Sequence, residues 1–212
     1  MKVKWLGHAA FLITSEAGTR IITDPFGVYP GLNYKPITET ADVVTVSHAH
    51  GDHNDLSTIK GNPKVVRDTA TVKGITFKAV TSYHDNAGGK EKGNNTIFCF
   101  EVDGVTVCHA GDLGHQLNDK QAAELGKVDI LIIPVGGFFT IDAKTATEVV
   151  KKVSPKVVIP MHYKNEKCTF PIAGVDEFLK GKTDVIQPNA SEVEFKRDNL
   201  PATTHIIVLK PA

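Results

Sequence analysis

The segment at positions 48–53, which reads His-Ala-His-Gly-Asp-His, constrains this chain more than any other part of its sequence. It directly follows the β-branched run 42–47, which is typical of a buried strand. Residues two apart on an extended chain point the same way, so His48 and His50 can hold one ion together. The turn that the glycine allows brings Asp52 and the next histidine toward a second ion. Three imidazoles and a carboxylate within six residues suit a borderline divalent metal such as zinc.

Three later residues stand where further ligands of such a centre are expected. His84, Asp112 and His162 each follow a predicted apolar strand, and sites in sheet proteins form beyond strand ends, where such residues converge. A lone histidine at a strand end is more often structural, and a chance polar loop is the alternative for residues 48–53. The first cluster favours the ligand interpretation for the other three, which together supply enough ligands for two ions.

Short apolar runs separated by turns predict a chain made mostly of strands. Asp103-Gly104 joins two apolar runs and predicts a two-residue hairpin. The segments 192–196 and 205–210 predict a closing hairpin at the end of the chain. Helices are predicted at 119–126, 142–153 and 175–180. A weak echo between 42–48 and 129–137 suggests two similar α/β halves packed sheet to sheet, with helices outside.

Charge and composition bear on the partners of this protein. Lys plus Arg and Asp plus Glu each number 24, so the formal charge is zero, which disfavours a strongly basic nucleic-acid binder. Hydrophobic residues at 41% and charged residues at 23% are typical of a globular chain, and the length fits one domain over 1–212. No apolar run reaches the ~18 residues of a membrane span. We therefore expect a small-molecule substrate and no membrane contact, and a homo-oligomer is left open.

The cysteines and the N-terminal segment bear on the compartment. Cys99, Cys108 and Cys168 cannot all pair, so no disulfide framework is expected. Cys99 and Cys108 lie in apolar runs and are predicted to be packing groups. The first residues contain no apolar stretch of signal-peptide length. These observations favour a reduced, cytoplasmic compartment.

In their order along the chain, these motifs resemble those of the metallo-β-lactamase superfamily. An early strand that ends in Asp24 resembles the first motif of that family, residues 48–53 the second, and His84, Asp112 and His162 the third to fifth. Three segments are similar to the small stand-alone branch of metal-dependent hydrolases that includes the ascorbate-phosphate lactonase type: Trp5-Leu6-Gly7-His8-Ala9, Ala110-Gly111-Asp112 and Pro160-Met161-His162-Tyr163. The resemblance implies an α+β fold, a four-layer αββα sandwich of two mixed β-sheets with helices on the outer faces. The metals then lie at one edge between the sheets.

The resemblance also implies how the ligands divide between two metals. The first metal takes His48, His50 and His84, the second takes Asp52, His53 and His162, and Asp112 bridges them. Asp112 stands where the best-known β-lactamases have cysteine, which favours a relation to phosphoesterases, lactonases and thioesterases. Zinc is expected at both positions, with manganese, iron and nickel left open.

The expected reaction is attack by a metal-bridging hydroxide on a carbonyl carbon or on phosphorus. Asp52 is a candidate acceptor of the water proton, and Asp24 a candidate for orienting a ligand imidazole, with a simple turn before Pro25 as the alternative for Asp24. His8 is a candidate acid for the leaving group, with a buried structural histidine as its alternative. His115 is a further candidate catalytic residue of the pocket.

The sequence therefore predicts a metal-dependent hydrolase that cleaves a small ester, lactone or phosphoester. A phosphodiesterase that acts on nucleotides or RNA ends is an alternative, although phosphate contacts along a nucleic acid require clustered Lys and Arg. A metal-binding regulatory protein without turnover is the other alternative. A closed structural site has four ligands and no open position, whereas seven candidate ligands for two ions leave room for solvent.

Overall fold

Fourteen short strands and three helices form the protein in a computed structural model that describes all of residues 1–212. The strands are β1 (Lys2–Gly7), β2 (Ala10–Thr14), β3 (Arg20–Thr23), β4 (Val43–Thr45), β5 (Lys64–Val66), β6 (Ala70–Val72), β7 (Ile75–Tyr83), β8 (Asn94–Val102), β9 (Val105–His109), β10 (Ile130–Pro134), β11 (Val157–Met161), β12 (Val185–Ile186), β13 (Glu192–Glu194) and β14 (His205–Ile207). The helices are α1 (Asp119–Leu125), α2 (Ala143–Val153) and α3 (Val175–Leu179). None of these helices combines the length and the apolar character that a membrane crossing requires.

The strands form two mixed sheets, which confirms the predicted α+β fold class, a sandwich of two mixed β-sheets. The first sheet has six strands in the order β13-β1-β2-β3-β4-β5, and the second has eight in the order β12-β14-β11-β10-β9-β8-β7-β6. Each sheet has an antiparallel part and a parallel part. In the first sheet β2 and β3 are antiparallel and β3 and β4 parallel, and in the second the parallel part begins with the pair β9 and β10. The two sheets pack face to face, and a core cluster of 42 buried residues that draws on both lies between them.

The two central parallel strands of the second sheet are covered on both faces. Every residue of β10 and β11 is buried, which is the continuous apolar pattern expected of strands between a sheet and helices. Helix α2 packs on β10 and buries Ala146 and Val149. It begins at Asp142, whose side chain accepts the backbone N–H of Thr145 and so satisfies one of the free donors at the helix start.

The outer layer over the six-stranded sheet is an irregular segment. A second apolar cluster of 13 buried residues joins the outer faces of β2, β3 and β4 to side chains from residues 26–41, including Phe26, Tyr34 and Ile37. The helices, by contrast, lie on the side of the eight-stranded sheet, where α1 contacts β7 and α2 contacts β10. The long loop therefore takes the place that a helix has on the opposite face, and it also extends toward the sheet edge.

Two expectations from the sequence are wrong. The predicted closing hairpin does not form, because β13 pairs with β1 in the first sheet whereas β14 pairs with β11 and β12 in the second. Cys99 and Cys108 are not simple packing groups but form a disulfide between β8 and β9. The predicted Asp103-Gly104 hairpin is confirmed, with both residues in the left-handed region at φ 51° and 75°, and it sets these cysteines directly opposite each other.

Candidate metal centre

Six strands from both sheets end at one edge, and each is followed by a polar residue of the predicted site. These residues are His8 after β1, Asp24 after β3, the segment 48–53 after β4, His84 after β7, Asp112 after β9 and His162 after β11. All of them are buried except within 48–53, where Asp52 and His53 are buried and His50 is exposed. The fold thus gathers residues that lie up to 154 positions apart in the sequence, from His8 to His162.

Asp112 lies at the centre of this cluster. Its Oδ2 atom is 3.2 Å from His84 Nε2, 3.3 Å from His53 Nε2, 3.4 Å from His162 Nε2 and 4.0 Å from His48 Nε2. A buried carboxylate that faces four imidazoles is placed to contact ions on both sides of it. The structure therefore puts Asp112 at the position that a bridging ligand occupies.

Around Asp112 the ligand-type atoms form two main groups. The first consists of His48, His50 and His84, and the second of Asp52, His53, His162 and His8; in each group the ligand atoms lie within 4.8 Å of one another. The two sets of three that the family resemblance implies are thus found together in space. His8 is an addition to the second group.

The free ring nitrogens and oxygen of this cluster fit a divalent cation. Nε2 of His48, Nε2 of His53 and Oδ1 of Asp112 are buried and have no hydrogen-bond partner. Buried polar atoms are seldom left unpaired, and each that is requires an explanation such as an ion. Imidazole nitrogens with carboxylate oxygens are a donor set that suits zinc and its neighbours in the first transition row.

Asp24 and Ser47 orient two of the ligand histidines. The Asp24 carboxylate accepts three hydrogen bonds. Ser47 donates two of them, from its backbone N–H at 2.8 Å and from its hydroxyl, and His53 donates the third from Nδ1–H at 3.1 Å. The Ser47 hydroxyl oxygen in turn accepts Nδ1 of His48 at 2.8 Å. These bonds hold a proton on Nδ1 of both rings and leave Nε2 of both free to bind a metal. Sequence reasoning missed Ser47, although its position directly before the first histidine was a signal.

Asn95, a second residue that sequence reasoning missed, holds the backbone of Asp112. Its Oδ1 accepts the N–H of Asp112 at 2.9 Å, and its Nδ2 donates to the Ala110 carbonyl at 2.9 Å and to Ser82 Oγ at 2.8 Å. Asn95 is fully buried in β8, where asparagine is unfavourable as a strand residue. In the sequence it stands among Gly93, Asn94 and Thr96, before the apolar part of β8, so no local signal distinguished it.

The buried charges shift the pKa values of the cluster in opposite directions. Burial opposes charge on His53, but the carboxylates of Asp112 and Asp24 outweigh it and raise the pKa of His53 well above its usual value. Burial alone would raise the pKa of Asp112, but His162 and His53 lower it well below its usual range. Burial and the neighbouring His53 lower the pKa of His48 to about 4. Without a metal, the His53 ring is therefore positively charged at neutral pH, with a proton on both nitrogens, whereas the His48 ring is neutral with a single proton on Nδ1.

The two histidines predicted as catalytic lie outside the cavity wall. His8 is buried, its Nε2 donates to Asp52 Oδ2 at 3.3 Å, and burial together with His162 lowers its pKa to about 3. This placement favours orienting Asp52 over protonating a leaving group, because a neutral ring has no acidic proton to give. His115 accepts the N–H of Tyr83 and donates to the Gln116 carbonyl, so the structure does not bring it to the site.

A cavity of about 430 Å³ opens onto the cluster. Its floor contains ligand-type residues of both groups, and three aromatic rings and one lysine form its wall. The lining residues are Tyr29, His50, Asp52, His84, Lys92, Asp112, Phe139, His162 and Phe170. This volume is within the range of small-molecule sites.

Comparison with known proteins identifies similar sequences among metal-dependent hydrolases. The model of a beta-lactamase superfamily domain matches residues 2–162. A protein of Carboxydothermus hydrogenoformans named as a UPF0173 metal-dependent hydrolase is 35% identical over 205 residues, covering 83% of this chain and 88% of its own. A protein of the same name from Archaeoglobus fulgidus is 32% identical over 207 residues, covering 83% of this chain and 87% of its own.

Two crystal structures extend the comparison to the fold. A Thermotoga maritima protein, provisionally assigned as a Zn-dependent hydrolase of the metallo-beta-lactamase superfamily, superposes with a TM-score of 0.81 at 39% identity. The match covers 98% of this chain and 97% of that one. Igni18, a metallo hydrolase of Ignicoccus hospitalis, gives a TM-score of 0.66 at 25% identity, over 92% of this chain and 99% of its own.

Proposed function

Because the chain belongs to the beta-lactamase superfamily and is a metal-dependent hydrolase of the UPF0173 kind, we propose that it hydrolyses a small ester, lactone or phosphoester. The observation that carries this proposal is the cavity whose floor contains two groups of ligand-type residues on either side of Asp112. Such a cavity gives a substrate direct access to the residues that would hold the metals.

We place one cation between His48, His50 and His84, and a second between Asp52, His53 and His162. Asp112 Oδ2 lies within 4.0 Å of ring nitrogens from both groups, which supports its assignment as the shared ligand. Two divalent cations bound there would supply Lewis-acid chemistry, lowering the pKa of water toward neutrality and stabilising negative charge on the substrate. We propose zinc for both, with manganese, iron and nickel as the other outcomes of the metal analysis below.

Asp52 is the residue to which we assign the proton of the attacking water. It lines the cavity, and although burial opposes its ionisation, the contacts with His8 and His53 lower its pKa below the usual value. Its carboxylate is therefore ionised at neutral pH, and the hydrogen bond from His8 Nε2–H occupies Oδ2 and leaves Oδ1 for the water. Because His8 keeps the carboxylate in one orientation, we assign to it a positioning role.

The wall of the cavity favours a compact substrate. The rings of Phe139 and Phe170 meet edge to face at 5.6 Å, and Tyr29 meets Phe170 at 6.2 Å. Together the three rings reduce the access of water to one side of the site. A volume of about 430 Å³ fits a substrate of the size of a small lactone or aryl ester better than a polymer.

The test is metal analysis of the purified protein followed by a substrate screen. After reconstitution with zinc, manganese, iron or nickel, we expect about two ions per chain for at least one metal, from the two ligand groups. The loaded enzyme is then assayed with chromogenic esters, lactones and phosphodiesters, with Asp52→Ala as the inactive control. Less than half an equivalent of every metal, or equal turnover by Asp52→Ala and the wild type, would refute the proposal. Turnover of phosphodiesters alone would instead support the phosphodiesterase alternative.

A further inference from the structure

Lys92 is the single lysine among the residues that line the cavity, and the lining contains no arginine. It lies eight positions after the ligand-type residue His84, on the loop that joins β7 to β8. The wall therefore presents one fixed positive charge that none of the steps above uses.

The loop that carries Lys92 is held in place by a buried carboxylate. Asp85 Oδ1 accepts the N–H groups of Ala87 and Gly89, both at 2.8 Å, and its Oδ2 accepts those of Glu91 at 3.0 Å and Lys92 at 2.8 Å. One side chain thus closes the whole loop from 85 to 92. A lysine on a loop with this support has a defined position, unlike a lysine on a free surface loop.

The ammonium group of Lys92 is held as well. It donates to the Phe138 carbonyl at 3.0 Å and to the Phe139 carbonyl at 2.9 Å, and it lies 6.0 Å from the centre of the Phe139 ring. The Phe138 carbonyl that accepts from Lys92 belongs to a backbone segment in the left-handed region, with φ 68° at Gly137 and 61° at Phe138. Because an ammonium group has three N–H donors and the two carbonyls use two, one is left without an acceptor in the protein, on a side chain that lines the cavity.

We propose that Lys92 determines substrate specificity by binding an anionic group, carboxylate or phosphate, that the substrate carries at a distance from the bond to be cleaved. This inference rests on the proposed function. The adjoining rings of Phe139, Phe170 and Tyr29 would pack on the apolar body between that anion and the reacting centre. The substrate class is therefore a small ester, lactone or phosphoester with a second, non-reacting anionic group.

Binding of inert ligands tests this inference without any need for turnover. Calorimetry on the metal-loaded protein compares 3-phenylpropanoate with its neutral counterpart 3-phenylpropanamide. The phosphonate 2-phenylethylphosphonate, whose C–P bond is not hydrolysed, distinguishes a phosphate-like anion from carboxylate as the preferred group. Lys92→Gln removes the charge but keeps an amide N–H for the loop carbonyls, and Lys92→Arg restores the charge. Lys90→Gln is the matched control, because Lys90 is an exposed lysine on the same loop outside the cavity.

We expect Lys92→Gln to weaken binding of the better anion by about 10-fold, as for one charge-assisted hydrogen bond, and binding of the amide by less than 2-fold. Lys92→Arg should recover part of the anion affinity, and Lys90→Gln should match the wild type. Equal losses of affinity for the anion and the amide would show that Lys92 only supports the loop. No loss of affinity for any ligand would show that the anion binds elsewhere. Either result overturns the inference, and neither affects the turnover assay that tests the proposed function.

Discussion

Replacing Asn95 by alanine should damage both the fold and the metal centre, by amounts that the structure allows us to estimate. The change removes the acceptor of the Asp112 N–H and a donor to the Ala110 carbonyl. Both backbone groups are buried, and an unsatisfied buried group costs about 1–3 kcal/mol. The two together predict a loss of about 4 kcal/mol in the free energy of unfolding. For a chain of this length that corresponds to a fall in Tm of about 8–16 °C.

The effect on the metal centre should appear as a separate loss. Asp112 contacts both ligand groups, and removal of a supporting residue of this kind costs about 10–100-fold in metal affinity. A ligand that binds only the native state stabilises it in proportion to the logarithm of its affinity, so a 10-fold loss removes about 1.4 kcal/mol of that stabilisation. The Tm difference between wild type and Asn95→Ala should therefore be larger with metal in excess than with a chelator.

The assay is thermal unfolding of both proteins in chelator and in excess zinc, with Asn94→Ala as the control. Asn94 is the exposed neighbour of Asn95 in β8, and its replacement should change stability by no more than about 0.5 kcal/mol. Two results would contradict the reasoning. One is an equal effect of both variants, and the other is a large loss for Asn95→Ala that metal leaves unchanged, since Asn95 would then support the fold and not Asp112.

Three further predictions concern the ligands, the pH dependence and the disulfide. His50→Ala should lower the metal content and abolish turnover with little loss of stability, because His50 is exposed. His115→Ala should leave the metal content unchanged. Metal analysis and unfolding curves of both variants test this. Metal binding should release a proton from His53, because Asp112 and Asp24 raise the pKa of this residue although burial opposes this. Metal affinity should therefore increase with pH up to that raised pKa. Calorimetry in buffers of different ionisation enthalpy measures the released proton, and release of none contradicts the assignment. Thiol labelling of the oxidised, denatured chain should find one free cysteine, Cys168, whereas three would show that the bond between β8 and β9 is absent.

The ligand-type residues could be predicted from the sequence because each lies in the segment that follows the end of a strand. An apolar run that stops at a histidine or aspartate is a local pattern, and strand ends at one sheet edge bring such residues together. The supporting residues have no comparable pattern. Asn95 lies inside a strand and acts on Asp112, 17 positions away. Lys92 lies among other charged residues of a polar loop, and only the contacts of its ammonium group with residues 138–139 distinguish it from them.

The geometry of a two-residue hairpin determines the pairing of Cys99 with Cys108, whereas no such turn determines the partners of β13 and β14. The Asp103-Gly104 turn sets residue 102 opposite 105, and counting outward in the antiparallel ladder sets Cys99 opposite Cys108, as the structure has it. The register that this predicted turn sets is therefore enough to bring the two cysteines within reach of a disulfide. The segments 192–196 and 205–210 have no two-residue turn between them to define a register. Instead β13 joins the edge of the first sheet beside β1, and β14 lies between β11 and β12 in the second, through long-range contacts that no local pattern encodes.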